Sequence, residues 1–196
     1  MTSLITLLLI SCNSDNKKLN HRIADSKKDS ITTISVDKKT NSLIQDSILV
    51  ENRIQHEFSS STHKDEFHLY IKGPSIQNGT AVLEIKDYQG NTLFREEYIS
   101  GCLVDYGFDV NDTVPSHRDD YIKNRVADFF NEKNFHRISD LSDDTFKANL
   151  ITDEIVADIR LEKNMFSFFY NIFEGDGRGY IYSRKLKKII QFYACC

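Results

Sequence analysis

The chain has 196 residues, of which 40% are hydrophobic and 28% are charged, and its formal net charge is −4. A chain of this length usually folds around one hydrophobic core, so we expect a single folded domain. The mildly acidic, well-mixed charge has no concentrated basic face, which argues against a nucleic-acid binder. No apolar run reaches the ~20 residues that a membrane-spanning helix needs.

The N-terminus reads MTSLITLLLISCNSDN, in which the apolar residues 4–10 lead to Ser11 and Cys12. A short apolar segment that ends in a small residue is typical of a secretory signal peptide. The sequence Leu-Ile-Ser-Cys at 9–12 resembles the lipobox of bacterial lipoproteins. This resemblance implies a signal peptide over residues 1–11, cleavage between Ser11 and Cys12, and acylation of Cys12, for example with palmitate.

The same resemblance implies a location in the bacterial cell envelope, anchored to a membrane on the periplasmic side or at the cell surface. Residues 1–3 lack the basic residue that usually opens a signal peptide. The alternative interpretation of residues 4–10 is an ordinary buried strand.

A change in composition separates the next segment from the rest of the chain. Residues 13–57 contain no Phe, Tyr, Trp, Gly or Pro. Such a segment cannot bury enough apolar surface to offset the entropy lost on ordering. We therefore predict a flexible polar tether over residues 12–45 and one α+β domain over residues 46–196. Apolar residues return at 43–58, which fit either a short helix or a strand.

Alternation of apolar and polar residues predicts three antiparallel strands at 66–72, 80–87 and 92–99. A helix is predicted over 117–133, with Ser116 as its N-cap. Its apolar stripe consists of four residues, Ile122, Val126, Phe129 and Phe130.

The C-terminal part alternates between turns and apolar segments. Residues 139–149 predict a turn and a short helix, and residues 152–163 suit a helix or a strand equally. Residues 165–173 predict a strand, and residues 180–184 and 188–194 predict a final hairpin. The predicted fold class is α+β, with an antiparallel sheet of five to seven strands and one main helix.

Three histidines are the first candidates for chemistry, because His56, His63 and His68 lie close together in sequence among acidic residues. Imidazole and carboxylate groups suit zinc and similar ions, but this spacing matches no metal-site template. No sequence motif pairs a nucleophile with a base. We therefore predict no metal, no cofactor and no enzymatic activity. The alternative is a lipid-anchored hydrolase, or a metal-dependent enzyme, that uses the polar face near His68.

Two further segments each allow two interpretations. The aromatic residues of the 165–173 segment can line a ligand cavity or simply fill the core. The basic turn at 184–188 can meet anionic lipid head groups or only be solvated.

Four cysteines remain to be placed, and Cys12 is assigned to the lipid anchor. Export favours disulfides among the other three, Cys102, Cys195 and Cys196. We predict a disulfide from Cys102 to one of the final pair, and only one of them can reach it because neighbouring residues of a strand point to opposite faces. Reduced thiols, a bridge between Cys195 and Cys196, and a metal site are the alternatives.

Together these features predict a membrane-anchored envelope lipoprotein that acts as a non-catalytic binding module. Its partners are the membrane, through acylated Cys12, and an unknown protein or small ligand, with no nucleic acid. Beyond the lipobox, the ending SRKLKKIIQFYACC resembles small uncharacterised lipoproteins of the Bacteroidetes type.

Overall fold

Eight antiparallel strands form two four-stranded sheets in the computed structural model, which describes residues 47–105, 107–146 and 151–195. Contacts divide the chain into residues Met1–Asp37, which lie outside the described residues, and Lys38–Cys196, which include all of them. The predicted signal peptide, Ser11, Cys12 and the predicted tether therefore lie outside the described residues.

The first sheet is a meander in the order β1-β2-β3-β4. Its strands are β1 (Ile48–His56), β2 (Asp65–Lys72), β3 (Thr80–Lys86) and β4 (Thr92–Ile99). The three predicted strands are confirmed, and the open choice at 43–58 resolves to a strand. Alternation gives this sheet an inner face with Phe67, Leu69 and Leu83, and a polar outer face with Arg53, His68 and Glu84.

The second sheet has the order β5-β6-β7-β8. Its strands are β5 (Phe135–Arg137), β6 (Phe166–Asn171), β7 (Gly177–Ser183) and β8 (Lys188–Cys195). The predicted strand at 165–173 and the final hairpin are confirmed. The architecture is therefore antiparallel α+β, as predicted, but the strands divide between two sheets instead of forming one sheet of five to seven.

The described residues contain two α-helices, α1 (Pro115–Ala127) and α2 (Asp153–Arg160). The prediction that Ser116 caps α1 is wrong, because the helix begins at Pro115, with Val114 at the N-cap position and no side-chain cap. Proline suits the first helical position, since its missing N–H has no partner there in any case. The ambiguous segment 152–163 is helical, preceded by Thr152.

Helix α1 is shorter than predicted, and its apolar stripe continues into a turn. The N–H of Asp128 bonds to the carbonyl of Asn124, and that of Phe129 to the carbonyl of Val126. Phe129 and Phe130 are nevertheless buried, and both rings contact Phe168. Short 3-10 segments replace the predicted helix around 139–149; they are Ile138–Asp140 and Asp143–Phe146.

Two hydrophobic clusters lie on the two faces of the second sheet. The larger cluster joins the inner face of the first sheet, α1 and one face of the second sheet, and includes Phe67, Ile122 and Phe168. The smaller cluster lies between the other face of the second sheet and α2, and includes Ile159 and Phe192. The second sheet is therefore covered on both faces, whereas the outer face of the first sheet is covered by no other described element.

Candidate ligand-binding site

The three histidines do not converge on one site. His56 belongs to the inner face and stacks on Phe135, with ring centroids 3.9 Å apart. His63 stacks on Tyr88 at 4.0 Å, and His68 lies on the outer face of β2. Across the parts of the chain that the structure describes, no group of three or more metal-ligating side chains has the arrangement of a metal site.

The Nε2 atom of His68 lies beside two charged side chains. Nε2 of His68 lies 2.8 Å from Oε2 of Glu51 and 3.3 Å from Nη2 of Arg53. Arg53 also donates a hydrogen bond of 3.1 Å to Glu66. The hydrogen bonds from His68 and Arg53 hold the pKa of Glu51 below its usual value. These groups are therefore hydrogen-bonded to one another.

The charged side chains on the other half of the outer face also form ion pairs with one another. Glu84 meets Lys86 at 2.9 Å and Arg95 at 3.4 Å, and Arg95 meets Glu97 at 2.5 Å. Burial opposes ionisation of Glu84, but the hydrogen bond and charge of Lys86 lower its pKa on balance. The outer face is thus a network of paired charges.

The aromatic segment of β6 is divided between the two hydrophobic clusters. Phe168 and Tyr170 belong to the larger cluster, whereas Phe169 packs against the smaller one. Phe168 is fully buried in the core, whereas Phe169 and Tyr170 also contribute to the lining of one open cleft. The structure therefore supports the core interpretation for Phe168, and it leaves Phe169 and Tyr170 with both roles.

Two carboxylates, one in α2 and one just after it, pair with two of the four cations in the basic β7–β8 turn. Arg184 lies 3.0 Å from Glu162, and Lys185 bonds to Glu154. Lys187 and Lys188 are exposed. The turn is thus partly neutralised by its own domain.

Cys102 and Cys195 differ in environment. Cys102 is buried in the larger cluster, and Cys195 is exposed at the end of β8. No disulfide joins these two residues, and Cys196 lies outside the described residues. The predicted bridge from Cys102 to one of the final pair stays a prediction.

An open cleft of about 500 Å³ lies between α1 and the second sheet, and we call it the α1–β6 cleft. It forms because β5 pairs with β6 only over Phe166–Phe168, so the rest of β6 has no partner strand on that side. The C-terminal half of α1 stands opposite this open edge. The volume of the cleft falls within the ~300–1,000 Å³ of ordinary small-ligand sites.

Aromatic rings and polar side chains line the cleft together. Buried Phe129 and Tyr170 contribute to its apolar lining. Arg125 spans the gap between the walls, because its guanidinium donates to the carbonyls of Leu103 at 3.3 Å and Asn171 at 2.8 Å. The wall is therefore braced by a fixed cation.

Five polar side chains at the cleft have no hydrogen-bond or ion-pair partner among the described residues. They are Asn124, Asp128, Lys133, His136 and Asn171. This state contrasts with the outer face of the first sheet, where the charges satisfy one another. No sequence motif connects these five positions, so they were not predicted from the sequence.

A second polar cluster, also missed from the sequence, lies between the two sheets. Arg178 of β7 forms ion pairs with Glu96 of β4 and, at 3.0 Å, with Asp176. The hydroxyl of Tyr98 and Oδ2 of Asp176 are buried without a hydrogen-bond partner. Burial is the main cause that raises the pKa of Tyr98 and of Tyr170, and the charge of Glu96 adds to it.

None of the helices in the described part of the chain is long and apolar enough to cross a bilayer. Comparison of the chain with protein-family models, curated proteins and solved structures gives no match. The geometry of the described residues and the sequence of the N-terminus are therefore the basis for a functional proposal.

Proposed function

We propose that this protein is a lipid-anchored lipoprotein of the bacterial cell envelope whose domain binds a small polar ligand in the α1–β6 cleft, without catalysis. The lipobox-like sequence ending at Cys12 supports the anchor. The observation that carries the binding proposal is the set of five unpaired polar side chains around one cleft of ligand size.

We choose the α1–β6 cleft over the outer face of the first sheet because the polar side chains of the outer face already pair with one another. A charge that is already paired must lose its partner before it can bind a ligand, so the outer face around His68 gains little from binding. An unpaired amide or charge at a cleft exchanges only water for the ligand. The cleft therefore gains more from a ligand than the outer face does.

The anchor is tested by Cys12→Ala, with Cys195→Ala as the matched control. We expect Cys12→Ala to move the protein from the membrane fraction to the soluble fraction, because the acyl chains supply the membrane affinity. Cys195→Ala should stay with the membrane. Unchanged membrane association of Cys12→Ala would rule out the lipid anchor.

The binding site is tested by filling the cleft with a large side chain. Asn124→Trp places an indole at the cleft, whereas Lys123→Trp places one on the same helix outside the cleft lining. The readout is the thermal midpoint in the presence of a panel of amino acids, short peptides, sugars and nucleosides. At least one compound should raise the midpoint of the wild type and of Lys123→Trp, but not of Asn124→Trp. Equal responses in the two variants, or no response in any protein, would contradict the proposal.

A further inference from the structure

The α1–β6 cleft has one pole of each charge. Asp128 is an exposed carboxylate at the C-cap position of α1. Lys133 is an exposed ammonium in the 3-10 segment Glu132–Asn134 that follows. Both line the cleft, and neither forms an ion pair with the other or with any other described residue.

The end of α1 strengthens the negative pole. The C-terminus of a helix carries a partial negative charge, which favours a cation nearby and disfavours a carboxylate such as that of Asp128. The basic residue in the last turn of α1 is Arg125, and its guanidinium is already engaged by two backbone carbonyls. A ligand ammonium beside Asp128 would relieve this local excess of negative charge.

The positive pole and the amides complete the pattern. Lys133 is a mobile point charge that suits a carboxylate, and the fixed guanidinium of Arg125 adds to the positive potential of the cleft. Asn124 and Asn171 each offer an amide donor and an amide acceptor, which can pair with a peptide group. Phe129 and Tyr170 provide apolar contact for a small side chain.

From this arrangement we infer that the α1–β6 cleft takes a zwitterion, namely an α-amino acid or a short peptide. The ammonium of the ligand lies at Asp128 and its carboxylate at Lys133. In a peptide, the amide lies between Asn124 and Asn171. This inference rests on the proposed function, because it names the ligand class of the same cleft.

Four related probes separate the two charges. They are L-alanyl-L-alanine, its N-acetyl form, its C-terminal amide, and the doubly blocked neutral form, with glucose as an unrelated polar compound. Affinity is measured by calorimetry on the full chain in detergent micelles, and the binding site by amide NMR shifts of the cleft residues. Each blocked charge should weaken binding about tenfold, since it removes one charge-assisted hydrogen bond.

Two variants assign each charge to its residue. In Asp128→Asn, N-acetylation of the dipeptide should no longer weaken binding, whereas C-terminal amidation should still weaken it. In Lys133→Met, C-terminal amidation should no longer weaken binding, whereas N-acetylation should still weaken it. Asp120→Asn and Lys123→Met are matched controls, because these residues pair with each other at 2.9 Å on α1 outside the cleft. Both controls should retain the wild-type affinity for all four probes.

The outcomes also separate an error in the ligand class from an error in the proposed binding function of the cleft. If the neutral dipeptide or glucose shifts the cleft amides as strongly as the zwitterion, the ligand class is wrong and the binding function stands. If the zwitterion binds but neither variant changes its charge preference, the assignment to Asp128 and Lys133 is overturned. If neither these probes nor the broader panel perturbs the cleft, both proposals fall.

Discussion

The hydroxyl of Tyr170 donates a hydrogen bond of 2.5 Å to Oε2 of Glu96, although the two residues lie on different sheets. Oε1 of the same carboxylate accepts a hydrogen bond from Arg178, also on the second sheet. One side chain on the inner face of β4 therefore satisfies two polar groups of the facing sheet. This contact holds the sheets together by direct hydrogen bonds in addition to hydrophobic packing.

Replacing Glu96 by Ala should destabilise the domain by about 2 kcal/mol, because it removes the carboxylate that accepts from buried Tyr170 and one of the two carboxylates that pair with Arg178. The matched control is Glu97→Ala, which removes an exposed pair with Arg95 and should cost less than about 1 kcal/mol. Urea unfolding of both variants measures the difference. Equal losses of stability would show that the inter-sheet contact contributes no more than a surface ion pair.

The alternation in the sequence was sufficient to predict β2, β3 and β4, but not to predict which face Glu96 occupies. The segment TLFREEYI alternates weakly, and a charged residue is ordinarily assigned to solvent. Glu96 turns inward because Arg178 and Tyr170 meet it there, and these partners lie more than 70 residues away in sequence. Long-range pairing of this kind leaves no local signal.

The same limit applies to the two sheets and to the cleft. Local patterns predict that β4 and β6 are strands, but not that they belong to different sheets, since sheet membership depends on distant pairing. The cleft depends on the short β5, a strand that was not predicted from the sequence. It also depends on the early end of α1, which differs from that of the predicted helix. Element ends are set by tertiary packing more than by propensity.

Stability at alkaline pH should depend on Tyr98. Its pKa in the folded protein is raised, mainly by burial, above the ~10 of an unfolded chain. The unfolded chain therefore loses its proton first, so stability is fully present below about pH 10 and is lost as the pH rises further. Tyr98→Phe should reduce this loss, and Tyr88→Phe, whose ring is exposed, should not.

At neutral pH Tyr98→Phe should be neutral or stabilise the domain by up to about 1 kcal/mol, because the hydroxyl that it removes has no hydrogen-bond partner. Urea midpoints measured from neutral to strongly alkaline pH test both statements together. A clear loss of stability at neutral pH would mean that the hydroxyl is satisfied after all, for example by an ordered water.

Gly179 should not tolerate a side chain, because two aromatic residues pack directly over its Cα. An added Cβ would lie 2.7 Å from Cε1 of Phe169 and 2.8 Å from Cβ of Tyr193. We expect Gly179→Ala to cost about 2 kcal/mol, which is typical of overpacking.

A double-mutant cycle with Phe169→Leu tests the cause of this cost. If the Phe169 ring is the obstacle, Gly179→Ala should cost less in the Phe169→Leu background than in the wild type. Strictly additive losses in denaturant unfolding would instead assign the cost to the contact with Cβ of Tyr193.

The predicted disulfide should use Cys196, because the strand register points Cys195 away from Cys102. Cys195 pairs with Gly177, which shares a face of β7 with Ile181 of the smaller cluster. Cys102 belongs to the larger cluster on the opposite face of the second sheet. The described member of the final pair therefore lies on the wrong face of the second sheet to reach Cys102.

Peptide mapping of the secreted, unreduced chain should recover a Cys102–Cys196 linkage in the wild type and in Cys195→Ser, but not in Cys196→Ser. The bridge closes a loop of about 90 residues, so its loss should cost up to about 4 kcal/mol, whereas Cys195→Ser should have little effect on stability. A Cys102–Cys195 linkage would show that the end of β8 turns over in the mature protein. If all three thiols are found reduced, the predicted disulfide does not form, and Cys102 is only a core residue of the larger cluster.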